Sequence, residues 1–269
     1  MAKRLLTAVI GIPLLLVVLF FENIYLLEGC VTVLTLAAMF ELYRATGVLK
    51  HKVISIIGAV CGIVIIFFQF SGTSSFFGLL LIFVVALFLT LIIDGGRKLK
   101  FEQVAIVFVI ALFVPIFFSQ IVRVRMLENG NYLIYLIFIA SFVSDAFAYF
   151  VGRKIGRHKF APRVSPKKTI EGAVAGVVGG VIGFLIFGVI MQFVCGFTVD
   201  YPLLILYGVL GAVISEIGDL AASVIKREFG VKDYGNIMPG HGGVMDRFDS
   251  VLFVAPLLSL LLYNYPILF

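Results

Sequence analysis

Polar residues along this chain are confined to short intervals, and the stretches between them are apolar on every side rather than along one stripe. A surface helix of a globular protein repeats its apolar positions with a period of 3.6 residues. Unbroken apolar runs of about 17 to 25 residues are instead the length a helix needs to cross about 30 Å of hydrocarbon. Nine runs of this kind occur, at approximately Leu5–Phe21, Ile24–Tyr43, Val53–Phe70, Phe76–Ile93, Val104–Val122, Tyr132–Val151, Ala173–Cys195, Leu203–Ile225 and Val251–Leu268. None alternates in ten-residue strands, as the wall of an outer-membrane barrel would. The pattern predicts an all-α integral membrane protein of about nine transmembrane helices.

Composition points the same way. A 269-residue chain with mean hydropathy +1.16, 13% charged residues and 28 phenylalanines has more apolar surface than a globule of its size can hide. Lys and Arg collect in cytoplasmic loops. With nine crossings and a cytoplasmic N-terminus, all 21 fall inside except Arg123 and Arg125, and the C-terminus lies on the opposite side. The net charge of +6 follows from that rule and from attraction to anionic headgroups, so no nucleic-acid partner is expected. The opening MAKRLLTAVIGIPLLLVVLF reads as an uncleaved first helix. Glu28 disfavours a lipoprotein cleavage at Cys30, and the chain runs directly into a second span. Cys30, Cys61 and Cys195 are scattered through apolar runs and read as small hydrophobes.

A single polytopic domain over 1–269 is expected, with two unlike parts. Residues 1–140 form mainly a membrane scaffold, with Glu41 as the chief polar intruder. Residues 141–250 carry the intramembrane polar groups and the two longest inside loops, Gly152–Gly172 and Lys226–Ser250, so an active-site cleft facing the cytoplasm is expected there. Asp145 has Ser141 one turn before it and Tyr149 one turn after. Glu216, Asp219, Ser223, Lys226 and Arg227 share a helix face on which Asp219 lies about 10 Å below Lys226, at about 1.5 Å per residue. An ionisable group inside a span costs about 2.5–3.5 kcal/mol on insertion scales. Helix–helix hydrogen bonding accounts for one such group, but three carboxylates on two spans ask for a cation or a substrate.

The segment PGHGGVMDRFDS, Pro239–Ser250, supplies the complementary chemistry and could hold a metal, a phosphate or both. Carboxylates without His or Cys clusters suit Mg²⁺, which shares its shell with water and substrate phosphates; Asp219, Asp246 and Asp249 are the natural ligands. The last two stand one turn apart at the head of the final span, where backbone N–H groups favour anions. Lys167, Lys168, Lys226, Arg227, Lys232 and Arg247 form a cationic set, and Gly240, Gly242 and Gly243 let the backbone approach an oxyanion.

The stretch SVIKREFGVKDYGNIMPGHGGVMDRFD, Ser223–Asp249, resembles the long motif of the phosphatidate cytidylyltransferases: Ser223, a basic pair, Lys232-Asp233, Pro-Gly-His-Gly-Gly, Met-Asp-Arg and a final Asp. SPKKTIEG at Ser165–Gly172 and the aspartate of SFVSDAFAYFVG resemble further family segments. The resemblance implies a bacterial inner-membrane enzyme of phospholipid biosynthesis. Its reaction would be CTP plus phosphatidate giving CDP-diacylglycerol and pyrophosphate, with Mg²⁺ as one cation or the first of two.

Under that implication Asp219, Asp246 and Asp249 hold the cation. Lys226 and Arg247, with Lys167, Lys168 and Arg227, neutralise the triphosphate and leaving group. His241 orients a phosphate; the ionised nucleophile needs no strong base. Asp145, Ser165, Ser223, Lys232, Asp233, Gly240, Gly242 and Gly243 contact substrate. Two other classes compete. A secondary transporter also uses intramembrane carboxylates, but with inverted repeats and a midplane site, whereas these charges crowd the cytoplasmic third. An enzyme acting on another lipid, such as an isoprenoid-type cytidylyltransferase or a lipid kinase, is chemically nearer, although no GxxxxGK[ST] loop is present. The partners expected are CTP, phosphatidate and membrane lipids, and a homo-oligomer is compatible with the sequence.

Overall fold

The protein is described from a computed structural model covering residues 11, 13, 15–68, 73–236 and 242–269. After a helical segment at 15–20 come α1 (Ile24–Ala45), α2 (Lys52–Phe68), α3 (Thr73–Asp94), α4 (Phe101–Arg125) and α5 (Gly130–Phe138). A π-helical turn, Ile139–Val143, joins α5 to α6 (Ser144–Ile155). A hairpin of β1 (Lys159–Ala161) and β2 (Ser165–Thr169) precedes α7 (Ile170–Phe193), α8 (Tyr201–Glu228) and α9 (Met245–Asn264).

Among the described residues, six helical stretches are long and apolar enough to cross a membrane: Ile24–Ala45, Ser74–Asp94, Phe101–Arg125, Gly130–Ile155, Ile170–Phe193 and Tyr201–Glu228. The backbone satisfies its own hydrogen bonds in a helix, so an apolar run in lipid has little alternative. Exposed Phe, Ile, Leu and Val side chains stud these helices as a hydrocarbon solvent requires. The chain is thus an all-α, multi-pass membrane protein. The nine expected runs differ from the six in three places. The run at Leu5–Phe21 begins outside the described residues, and α2 is apolar but only 17 residues long. The last run loses its end. The helix of α9 stops at Asn264 because Val199 pairs with Leu268, Thr198 and Phe269 exchange backbone hydrogen bonds of 2.9 Å, and Asp200 N–H donates to Ile267 O at 3.0 Å.

The chain divides into two compact units, Met1–Ser119 with Phe229–Arg247, and Gln120–Glu228 with Phe248–Phe269. In the first, Tyr43 and Met39 of α1, with Val107 and Pro115 of α4, lie against Gly58 and Gly62 of α2. Phe83 of α3 stacks on Phe108 of α4 with centroids 6.0 Å apart.

In the second unit, α7 meets its neighbours through small residues, which let helix backbones approach closely in lipid. Gly179 and Gly183 face Phe147 and Ile139, and Gly180 faces Ala212 of α8. The hairpin sets Lys159 opposite Thr169 and Ala161 opposite Ser165. Three contacts anchor it. Thr169 caps α7 by accepting the Gly172 N–H at 3.2 Å, His158 Nδ1 meets Glu171 Oε1 at 2.6 Å, and Arg227 Nε donates to Val164 O at 3.2 Å.

A side chain at position 180 has nowhere to go, since its Cβ would stand 2.8 Å from that of Ala212. Gly180→Leu is therefore expected to destabilise the protein by about 1–3 kcal/mol, as overpacking does. A lowered thermal midpoint in detergent is the measurement. An unchanged midpoint would mean that α7 and α8 do not meet there.

Candidate active site

Polar side chains from α6, β2, α8 and α9 converge in the second unit. The π turn brings the chain into α6 with Asp145 in the first helical turn, where Ser250 Oγ donates to Asp145 Oδ2 at 3.4 Å. On β2, Pro166 and Lys167 are exposed while Lys168 is half-buried. The Lys168 ammonium pairs with Asp219 Oδ2 at 2.9 Å and donates to the backbone oxygen of Glu216 at 3.4 Å. Glu216, 7% exposed, and Asp219 are neighbours one turn apart on α8. Asp249, 6% exposed, accepts the Ser250 N–H at 2.9 Å and lies within the electrostatic reach of Asp219, Lys226 and Asp145. Its backbone oxygen would stand 3.0 Å from a Cβ at Gly218, so α8 and α9 meet at this level.

Among the described residues, fully ionised carboxylates outnumber the ammonium groups that face them. Asp145, Glu216, Asp219 and Asp249 face Lys168 and Lys226, leaving the cluster short of positive charge if all four carboxylates are ionised. Two buried oxygens, Glu216 Oε1 and Ser144 Oγ, find no hydrogen-bond partner among the described residues. Both face Gly176, where a Cβ would sit 2.8 Å and 3.1 Å from them. This donor set is all oxygen, the preference of a hard cation. Among the described residues no group of three His, Cys, Asp or Glu side chains could hold a metal ion. Carboxylate and hydroxyl oxygens of this kind suit Mg²⁺, which can be bound through one or two carboxylates and complete its shell with water and substrate phosphate.

A second set of carboxylate contacts lies wholly in the first unit, at the base of the glycine-rich loop. Glu41 of α1, 1% exposed, accepts the Val244 N–H on Oε1 at 2.9 Å and the Met245 N–H on Oε2 at 2.8 Å. Asp246 Oδ2 accepts the N–H groups of Tyr234 and Gly243 at 2.8 and 2.9 Å. A side chain at Gly235 or Gly243 would run into the Glu41 carboxylate, and Gly242 holds a left-handed φ of 86°. Residues 234–235 are thereby tied to residues 243–246. Sequence reasoning leaves the donors at the head of the last helix to a bound anion. Those of Gly243, Val244 and Met245 are already taken by Asp246 and Glu41.

Of the residues singled out from sequence, Asp145, Lys168, Asp219 and Asp249 come together, with Lys226 acting on Asp249 and Ser223 buried one turn beyond Asp219. Arg227 points to Val164, Ser165 opens β2, and Lys167 is exposed on the hairpin. In the first unit Asp246, Gly242 and Gly243 meet at the loop base, while Lys232, Asp233 and Arg247 are exposed. Gly240 and His241 lie outside the described residues. Four participants were not singled out as site residues: Glu216, Ser144, Ser250 and Glu41. The signal for Glu41 was present, as a carboxylate isolated in an apolar run.

The chain matches the cytidylyltransferase family over residues 2–265. It is 34% identical over 264 residues to a phosphatidate cytidylyltransferase of Staphylococcus haemolyticus (strain JCSC1435), covering 97% of this chain and 99% of that one. The phosphatidate cytidylyltransferase of Staphylococcus aureus (strain COL) is 33% identical over 266 residues, with 97% and 99% covered. That of Bacillus subtilis (strain 168) is 33% identical over 233 residues, covering 84% of each chain.

The unbalanced cluster makes a prediction about stability. Glu216→Gln removes one negative charge whose Oε1 has no partner among the described residues, and is expected to raise the thermal midpoint in metal-free detergent by the equivalent of about 1–3 kcal/mol. A lower midpoint would show that the Glu216 charge is compensated in the folded protein.

Proposed function

The chain belongs to the cytidylyltransferase family, and on that premise we propose that it transfers the cytidylyl group of CTP to phosphatidate, forming CDP-diacylglycerol and releasing pyrophosphate. One observation supports this most. Asp145, Lys168, Asp219 and Asp249 come from four separate segments, yet their side chains meet in one charged cluster of the second unit. The reading keeps residues 141–250 as the part carrying the chemistry, with 1–140 mainly scaffold.

In the proposed reaction a phosphate oxygen of phosphatidate attacks the α-phosphorus of CTP. The bond from that phosphorus to the bridging oxygen breaks, and pyrophosphate leaves with the electron pair. The nucleophile is already ionised, so the protein contributes positioning and charge neutralisation rather than proton abstraction. Asp219, Asp246 and Asp249 are the proposed holders of Mg²⁺, one ion or two, which when bound screens the triphosphate and polarises the reacting phosphate. Lys168, held by Asp219, is the ammonium best situated to donate to phosphate oxygens. Lys167, Lys226, Arg227 and Arg247 share that charge, and His241 orients a phosphate. Ser165, Ser223, Lys232, Asp233, Gly240, Gly242 and Gly243 are the proposed substrate contacts, Gly243 through backbone other than its N–H, which Asp246 holds.

The same reading has nine spans, a cytoplasmic N-terminus, a C-terminus on the opposite side and a site facing the cytoplasm from the bacterial inner membrane. CTP then arrives from water and phosphatidate from the leaflet. It assigns no nucleic-acid partner and leaves room for a homo-oligomer.

Purified protein given CTP, phosphatidate and Mg²⁺ should form CDP-diacylglycerol and pyrophosphate in equal amounts. Consumption of CTP without a liponucleotide product would overturn the proposal. Asp246→Asn keeps a carbonyl oxygen to accept the Tyr234 and Gly243 N–H groups but loses the charge. The variant should stay inserted and folded while turnover falls to background, and near-normal activity at ordinary Mg²⁺ would remove Asp246 from the cation. In a background lacking Cys30, Cys61 and Cys195, a cysteine in the Gly152–Gly172 loop should be labelled only from the cytosol and one at Thr198 only from the other side. Reversed labelling would overturn the orientation.

A further inference from the structure

We infer that Glu41 is a positioning residue for Asp246, acting through the backbone of Gly243, Val244 and Met245; the inference rests on the proposed function, in which Asp246 holds the cation. Glu41 lies 204 residues from Met245, in a run read from sequence as scaffold. Its carboxylate is almost wholly withdrawn from solvent, a placement worth avoiding unless something meets the charge. Two backbone donors meet it, one on each oxygen. Two donors on two oxygens fix a direction as well as a distance, so Glu41 sets both the rotation and the depth of the head of α9.

Helices are ordinarily capped from nearby, by a Ser, Thr, Asp or Asn side chain at the residue preceding the first turn. Here the residues preceding Met245 are Gly242, Gly243 and Val244, none of which has a side chain able to cap. The capping task has passed to a distant carboxylate, and the loop end carries only backbone in its place. Gly235 and Gly243 approach that carboxylate too closely for any side chain, so both ends of the loop rest on Glu41. Asp246 is then aimed by the N–H groups of Tyr234 and Gly243, which flank the same carboxylate. The order of dependence runs from Glu41 to the loop base and from the loop base to Asp246. A filler of the apolar core needs no charge, whereas this arrangement uses both oxygens of one.

The decisive variant is Glu41→Gln, which nearly preserves volume but sets an amide NH₂ against one of the two N–H donors. Glu41→Asp, which keeps both oxygens and withdraws them by one methylene, serves if the glutamine variant does not fold. Three quantities are measured on detergent-purified full-length protein: turnover per folded molecule, the Mg²⁺ concentration at half-maximal rate, and amide hydrogen exchange in peptides covering Gly243–Arg247. Glu41→Gln should lower turnover and raise the half-saturating Mg²⁺ by about 10- to 100-fold, the usual effect of losing a group that orients a metal ligand. KM for phosphatidate should change less than the Mg²⁺ dependence, and exchange in the peptide should accelerate. Glu41→Asp should fall between the two. Wild-type Mg²⁺ dependence and wild-type turnover per folded molecule in these variants, or unaltered exchange, would overturn the inference and leave Glu41 as a fold-stabilising residue. Wild-type protein that makes no CDP-diacylglycerol would instead overturn the proposed function, an outcome read in the same assay before any variant is compared.

Discussion

A carboxylate moved from water into an apolar helix loses solvation that only a donor or a cation can replace. This chain makes the move with Glu41, Asp145, Glu216 and Asp219, and much of the polar architecture answers to it. The two units answer differently. In the first, Glu41 and Asp246 are met by backbone N–H groups, neutral dipoles that are part of the fold and cannot be exchanged. In the second, Asp219 is paired with the Lys168 ammonium, and Asp145 and Asp249 are met through Ser250. A charge satisfied by backbone is a fixture. One paired with a side-chain ammonium can take a new partner, as the proposed binding of a polyphosphate requires.

The hairpin shows how such a lysine is kept in place. A long flexible side chain on a loop would spend much of its time elsewhere, and sites carried on regular elements are more precise than sites on loops. β2 is held at its turn by Arg227, at its end by the Thr169 cap and beside its partner by His158 and Glu171. The strand therefore presents Lys168 from a fixed backbone, and the side chain supplies the remaining freedom.

Much of this was legible in the sequence, for reasons that also explain what was not. The spans now forming α1, α3, α4, α7 and α8 are legible because membrane helices announce themselves by length and composition. One-turn spacing likewise put Glu216 and Asp219 on one face before any fold was known. The hairpin was not legible: Ser-Pro-Lys-Lys-Thr has neither alternation nor β-branched runs, and it is held by caps and side-chain contacts from α7 and α8. The end of α9 was misjudged because backbone pairing with residues 198–200 leaves no trace in hydropathy. Glu41 was visible as an anomaly, yet its partners lie more than 200 residues away and are backbone groups, which no pattern of side chains can reveal.

The π turn at Ile139–Val143 has an evolutionary reading. Such a turn amounts to one extra residue accommodated within an α-helix. The wider turn absorbs that residue locally, so α5 and α6 keep nearly the rotation a continuous helix would give them, and Asp145 stays beside Ser250. A deletion inside Ile139–Val143 would close the turn with the two flanks still in register, whereas a deletion in the regular helix on either side would rotate one flank against the other by about 100°. Chain length is thus freer to change within the π turn than in the helical residues that flank it.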